Sequence, residues 1–199
     1  NADGTAAALA TRYRQTFTDT VGAGKLLDWK YRPLDELNNA DNKVSTQSLL
    51  ADLNLQYRLT SFLVAEAQYR YQRNQSLAEN AYSIDSYYAR DLINLYTNLA
   101  ATSAALLNPV PLGGILGRKN GLSQSHNGRA QLSLNYPGGD YHIAALAGAE
   151  VREIKSEVYQ NRVYGYDQRL NVAAVDYRTS FPRIIGGQAV IPYATGIDA

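Results

Sequence analysis

Four runs of alternating polarity, gathered in two pairs at 48–73 and 129–152, constrain this chain more than anything else in it. In the first run Leu49, Ala51, Leu53, Leu55, Tyr57 and Leu59 stand at every second position. Ser48, Asp52, Asn54, Gln56 and Arg58 fill the places between, with Leu50 the exception. After a link at Thr60 and Ser61, Leu63, Ala65, Ala67, Tyr69 and Tyr71 alternate with Glu66, Gln68, Arg70 and Gln72. The second pair repeats the design: Ala130, Leu132, Leu134 and Tyr136, then a Pro137-Gly138-Gly139-Asp140 turn, then Tyr141, Ile143, Ala145, Ala147, Ala149 and Val151. A repeat of two marks a pleated strand with unlike faces. The sequence therefore predicts strands at about 48–59, 62–73, 129–136 and 141–152, paired as antiparallel hairpins. No position on the apolar face carries a charge.

Three of the runs have about twelve residues, which at roughly 3.3 Å each and a tilt near 45° cover about 28 Å, close to the hydrocarbon thickness of a bilayer. Strands of soluble proteins usually stop at about five or six residues. Tyr57, Tyr136 and Tyr141 lie near the tight turns and Tyr69 and Tyr71 near the far ends, the levels at which amphipathic aromatics form girdles. The connections are lopsided in the manner of short periplasmic turns and long extracellular loops. The expected fold class is all-β: a portion of an antiparallel transmembrane β-barrel of the bacterial outer membrane, with 1–47, 74–128 and 153–199 as loops. A water-soluble antiparallel sheet with one face on a core produces the same alternation. Leu50, Phe62, Val64, Ala144 and Leu146 fall on the polar face, where a plug inside a barrel would accommodate them.

Composition agrees. With 45% hydrophobic residues, a mean hydropathy of −0.34 and no apolar run of helix-spanning length, no transmembrane helix is expected. There is no cysteine, which excludes disulfides and thiolate metal sites. The sequence opens Asn1-Ala2-Asp3-Gly4 and contains no methionine, and four strands are too few to close a membrane barrel, which needs about eight. A piece of a larger barrel is expected. A net charge of +1 with dispersed basic residues gives no footprint for nucleic acid.

Little in the chain resembles catalytic or metal chemistry. His126 and His142 have no second ligand at metal-like spacing. Asp85 and Asp91 lack a neighbouring base, nucleophile or oxyanion donor. Gly113-Gly114 and Gly138-Gly139 lack the strand–glycine–helix context of a phosphate cradle and fit turns better. No enzyme activity, cofactor or metal is expected.

The segments between the hairpins resemble a known family. Ser86-Tyr87-Tyr88-Ala89-Arg90-Asp91-Leu92-Ile93-Asn94-Leu95-Tyr96, then Val110-Pro111-Leu112-Gly113-Gly114-Ile115-Leu116, then the strands 129–136 and 142–152 follow the order and spacing of the barrel of SusC/RagA-type TonB-dependent transporters. Trp29-Lys30-Tyr31-Arg32-Pro33-Leu34-Asp35-Glu36-Leu37 resembles the segment leading into a descending strand there. The likeness covers about residues 25–170; no plug domain, TonB box or closing strand is recognised. It implies import of oligosaccharides or peptides across the outer membrane, with a SusD-like surface lipoprotein as lid and TonB acting through a plug. Such large transporters have 22 strands and a plugged lumen.

Aromatics outside the four runs are the expected recognition residues, since tyrosine joins a flat apolar body to a polar tip. Trp29, Tyr87, Tyr88, Arg90, Tyr164 and Tyr166 are the candidates for a substrate- or lid-facing mouth. Packing of the long loops is the competing role, and Arg90 with Asp91 could be an internal ion pair. Two other functions fit the pattern: a porin-type barrel without energy coupling, and a soluble β-rich adhesin or glycan-binding module.

Overall fold

The computed structural model describes residues 6–167, 174–193 and 196–198. Four long strands dominate: β1 (Ala40–Arg58), β2 (Leu63–Tyr82), β3 (Gly114–Pro137) and β4 (His142–Tyr166). Two short strands, β5 (Ser180–Arg183) and β6 (Gly187–Val190), form a separate antiparallel hairpin. The last strand, β7 (Gly196–Asp198), joins β4, so the main sheet has the order β1-β2-β3-β4-β7. Three helices are short: α1 (Gln15–Thr20), α2 (Pro33–Asn39) and α3 (Tyr87–Tyr96). The all-β expectation holds. The sheet is open, with β1 at its edge, and no closed barrel occurs among the described residues.

Both tight turns form where the sequence places them. Leu59 and Thr60 donate their amides to Leu63 O at 2.9 and 3.2 Å, and Gly138 N donates to Tyr141 O at 2.7 Å. Between the hairpins, Asn135 N meets Phe62 O near the start of β2, while Arg118 reaches Glu79 near its other end. Strand β3 is therefore antiparallel to β2, and the four long strands make an up-and-down meander.

The strands are longer than the alternation announced, at 19, 20, 24 and 25 residues. Residues 40–47, 74–82, 114–128 and 153–166, expected within loops, are strand. The reason is physical: a hydrogen-bonded ladder needs no contrast between its faces, and in stretches such as Asn74-Gln75-Ser76 both faces are polar, so a period of two leaves no trace. Tyr164 and Tyr166 consequently belong to β4 and not to a loop. The expected loop 74–128 also contains α3, whose apolar residues Ala89, Leu92, Ile93 and Tyr96 follow helical spacing.

The chain divides into two compact units: residues 1–44, 78–119 and 160–196, and residues 45–77, 120–159 and 197–199. The first has a conventional core of Trp29, Ala89, Leu92, Ile93, Leu95, Tyr96, Val110, Ile115, Tyr164 and Ile191. The second has none: among its described residues, not one is buried.

In the first unit two backbones come close at Gly113 and Gly165, both at positive φ (151° and 67°). A Cβ on Gly113 would lie 2.7 Å from the Gly165 backbone, and rigid backbone on both sides cannot yield cheaply. Gly113→Ala should therefore cost about 1–3 kcal/mol. The check is faster hydrogen exchange and proteolysis around 107–116; an alanine variant as protected as the parent would contradict the close approach.

Candidate functional site

The second unit is a sheet with two chemically distinct faces and a partner on neither. On one face stand the alternating apolar residues, with Leu55 60% and Val151 74% exposed. A shallow depression of about 700 Å³ there takes in Leu55, Tyr57, Ala65, Ala67, Ala130, Leu132, Ala147 and Ala149. The depression also touches Gln56, Glu66 and Gln131, but the bonds Leu59 N–Leu63 O, Asn135 N–Phe62 O and Gly138 N–Tyr141 O set odd positions of β1, β2 and β4 beside even positions of β3, so the apolar positions of all four strands share one face. The uncharged band is about 9–11 residues deep on each strand (49–59, 63–71, 128–136 and 141–151), ending at Arg73 on β2 and Glu153 on β4.

Aromatic rings border the band at both levels. At the turns Tyr136 packs edge-on against Phe62 at 5.2 Å and lies 6.4 Å from Tyr141. Phe62, expected on the polar face, instead joins this girdle because it sits in the turn, where strand alternation no longer dictates direction. At the other level Tyr69 OH bonds His126 Nδ1 at 2.7 Å, with the Tyr71 ring 5.0 Å from the imidazole.

The opposite face is a lattice of polar side chains. Arg70 donates to Asp52 at 2.6 Å, Gln131 to Glu66 at 2.9 Å, Asn127 to Glu150 at 2.9 Å and Ser156 to Ser123 at 3.1 Å. Exposed pairs of this kind contribute about 0–1 kcal/mol each. They order a wet surface and do not hold the sheet together. Leu50 and Leu146 interrupt this face, 57% and 66% exposed.

In the first unit, helix α3 latches the extended segment 27–30. Ser86 caps the helix, accepting from Ala89 N at 3.2 Å. Arg90 donates to the carbonyls of Asp28 (2.5 Å), Lys30 (3.3 Å) and Ser86 (3.3 Å), and lies 3.6 and 3.9 Å from the Asp28 and Glu36 carboxylates. One position on, Asp91 accepts the Trp29 indole N–H at 2.8 Å. One turn on, the Asn94 amide brackets Leu27, accepting from its N at 2.8 Å and donating to its O at 3.0 Å. The ion pair imagined between Arg90 and Asp91 is absent: each turns to a different part of 28–36, as neighbours on a helix must.

The six recognition candidates separate accordingly. Trp29, Arg90 and Tyr164 are buried, with polar atoms satisfied inside the chain; Tyr164 OH donates to Pro192 O. Their positions are those of core residues. Tyr87 is half-buried, its ring 5.3 Å from Tyr31 and its hydroxyl bonded to Thr11 at 2.8 Å, and burial pushes its phenol pKa up. Tyr88 lies 4.6 Å from Tyr82. Tyr166 and Tyr82 line a cavity of about 470 Å³ with Asn39, Asp41, Ser83 and the Gly113-Gly114 backbone. Trp29, Tyr87 and Arg90 thus gather around α3, whereas Tyr166 faces a separate hollow. Sequence reasoning overlooked Ser86, Asn94 and Glu36; the signal for the first two was a capping serine ahead of the 89/92/93/96 repeat.

No protein-family model matches the chain, and neither does any curated protein sequence.

Removing the Arg90 side chain takes the donor from the Asp28 and Lys30 carbonyls in a mostly dry setting, while Ser86 O keeps the Arg90 amide, so Arg90→Ala should cost about 2–3 kcal/mol. Hydrogen exchange at 27–31 should rise before exchange elsewhere does. Acid should loosen the same latch. Burial raises the Asp28 carboxyl, but the Arg32 hydrogen bond, the Lys30 amide and the charges of Arg32 and Arg90 overcome it and hold the pKa below its ordinary value. A depressed folded pKa gives stability that is present above the ordinary carboxylate range and lost as pH falls through the folded value. Exchange at 27–31 should accelerate below that range in the parent and lose this acid step in Asp28→Asn.

Proposed function

We propose that the second unit is part of the wall of a bacterial outer-membrane β-barrel, its apolar face on lipid and its polar face on the lumen. One observation carries this reading: a broad uncharged face, exposed along all four strands, with no apolar partner anywhere in its own unit. Soluble proteins rarely leave contiguous apolar patches larger than a few hundred Å². In lipid such a face incurs no penalty. The depth of the band supports the same reading, since a tilted strand crosses the apolar layer in about 9–11 residues, and so do the aromatic rings at its two borders. The free edge of β1 then requires further strands, because an open edge leaves unsatisfied backbone groups in hydrocarbon.

Within that wall, the protein is a component of a SusC/RagA-like TonB-dependent importer of oligosaccharides or peptides, working with a SusD-like lipoprotein lid and TonB through a plug. Support for this finer reading is the ordered set of motifs in 86–96, 110–116 and 129–152. The turns at 59–62 and 138–141 face the periplasm, and the long connection 83–113 lies outside the cell.

In the complete protein Leu55→Arg and Ala147→Arg should each cost about 2–4 kcal/mol near the bilayer midplane, whereas Asn54→Arg on the lumen side should be close to neutral. The readout is the fraction of heat-modifiable barrel in outer-membrane preparations. Equal losses in all three would sink the assignment of faces.

A further inference from the structure

The hollow of about 470 Å³ beside Tyr82 and Tyr166 lies wholly within the first unit, where the ends of the four long strands come together. Its size is that of a small-molecule site. Part of its rim is held by bonds inside the chain: Ser83 Oγ donates to Asn39 Oδ1 at 3.1 Å, Asn39 Nδ2 donates to Asp85 O at 3.3 Å, and Lys43 Nζ donates to Asp41 at 2.5 Å. Gly113 and Gly114 contribute bare backbone to the lining. A Cβ on Gly114 would stand 2.5 Å from Tyr82 O, so glycine is required there. Two lining groups are left without such bonds. The Asn38 amide makes no hydrogen bond among the described residues, and half-buried Tyr166 has neither a hydrogen bond nor a ring partner there. Tyr82, by contrast, already packs against Tyr88 at 4.6 Å.

No lysine, arginine or histidine lines the hollow, so an anionic ligand finds no counter-charge in it. Of its carboxylates, Asp41 is paired with Lys43 and Asp167 is also engaged, so a cationic ligand would have to displace a partner. What remains is a planar amide, with a carbonyl acceptor and an amino donor, and an aromatic ring with a hydroxyl at its tip. From this set we infer a binding site for a neutral pyranose residue of an oligosaccharide. The C–H face of the sugar lies on the Tyr166 ring. Asn38 takes two neighbouring hydroxyls, one through its carbonyl and one through its amino group, and Asp41, fixed by Lys43, accepts from a third. The inference rests on the importer reading for the sugar's role as cargo, and it narrows that cargo from oligosaccharide or peptide to oligosaccharide.

The test applies the complete protein in neutral detergent to an array of neutral hexasaccharides of glucose, galactose, mannose and xylose in α and β linkages. Hexagalacturonate, hexaglucosamine and a set of neutral hexapeptides stand beside them. At least one neutral hexasaccharide should be retained about ten-fold above the charged sugars and the peptides. Tyr166→Ala and Asn38→Ala should each weaken that binding about ten-fold, and Tyr166→Phe should keep most of it. Hydrogen exchange in the first unit should stay as in the parent; if Tyr166→Ala alone loses protection, Asn38→Ala decides. No neutral hexasaccharide retained, or full binding by Asn38→Ala and a folded Tyr166→Ala, overturns the site. Peptides retained ahead of sugars, and lost in the same variants, overturn the saccharide as its ligand. Uptake by cells is read separately. Binding without uptake of the same sugar overturns the importer reading and leaves the site, whereas uptake with undiminished binding in the Ala variants overturns the site and leaves the importer reading.

Discussion

An apolar sheet face that finds no apolar partner within its own unit is the constraint on which the rest depends. Burial of apolar surface is the main force holding soluble domains together, and the unit containing α3 uses it in the ordinary way, around Ile93, Ile115 and Tyr164. The unit formed by 45–77, 120–159 and 197–199 has no such interior. Its strands are joined by their backbone ladders and by polar contacts on one face, which are too weak individually to offset the entropy of ordering some seventy residues. A sheet of that kind needs a cover for its apolar side. In the proposed wall that cover is lipid, which requires no shape complementarity and so accommodates side chains as different as Ala147 and Tyr57.

The other unit solves a different problem, that of making a long connection rigid. A connection of thirty residues between strands would ordinarily be mobile. Here Ser86 caps a helix, and Arg90, Asp91 and Asn94 use successive positions on it to hold the backbone of 27–30. Backbone carbonyls are the principal acceptors, so the latch depends on geometry more than on the identity of the residues it grips. A packed connector of this type can present a fixed surface, and the cavity beside Tyr82 and Tyr166 is the hollow it leaves open.

Much of the sheet was legible in the sequence because one face differs from the other. The cores of all four strands and both turns follow from alternation at Leu49 to Leu59 and at Tyr141 to Val151. Where that difference fades, as at Asn74-Gln75-Ser76, the strands continue unannounced, since hydrogen bonding and not polarity extends them. The candidate site was less legible. Trp29, Arg90 and Tyr164 stand out in the sequence as aromatics and a cation in segments without strand alternation, and exposure cannot be read from residue type once a connection folds on itself. Apart from Ser86, the partners of Arg90 lie more than fifty positions away in sequence, and nothing in a linear pattern pairs Asn94 with Leu27. The helix was within reach, because Ser86 and the 89/92/93/96 repeat are local signals.

The most direct test of the central claim is a nitroxide scan of residues 48–59 in the complete protein reconstituted into liposomes, comparing collision with oxygen and with a water-soluble nickel complex. The account predicts a period of two, with oxygen dominating at Leu49, Leu53, Leu55 and Tyr57 and the nickel complex at Asp52, Asn54 and Gln56. Nickel accessibility at both sets of positions, or protection of both from oxygen, would contradict a lipid-facing wall.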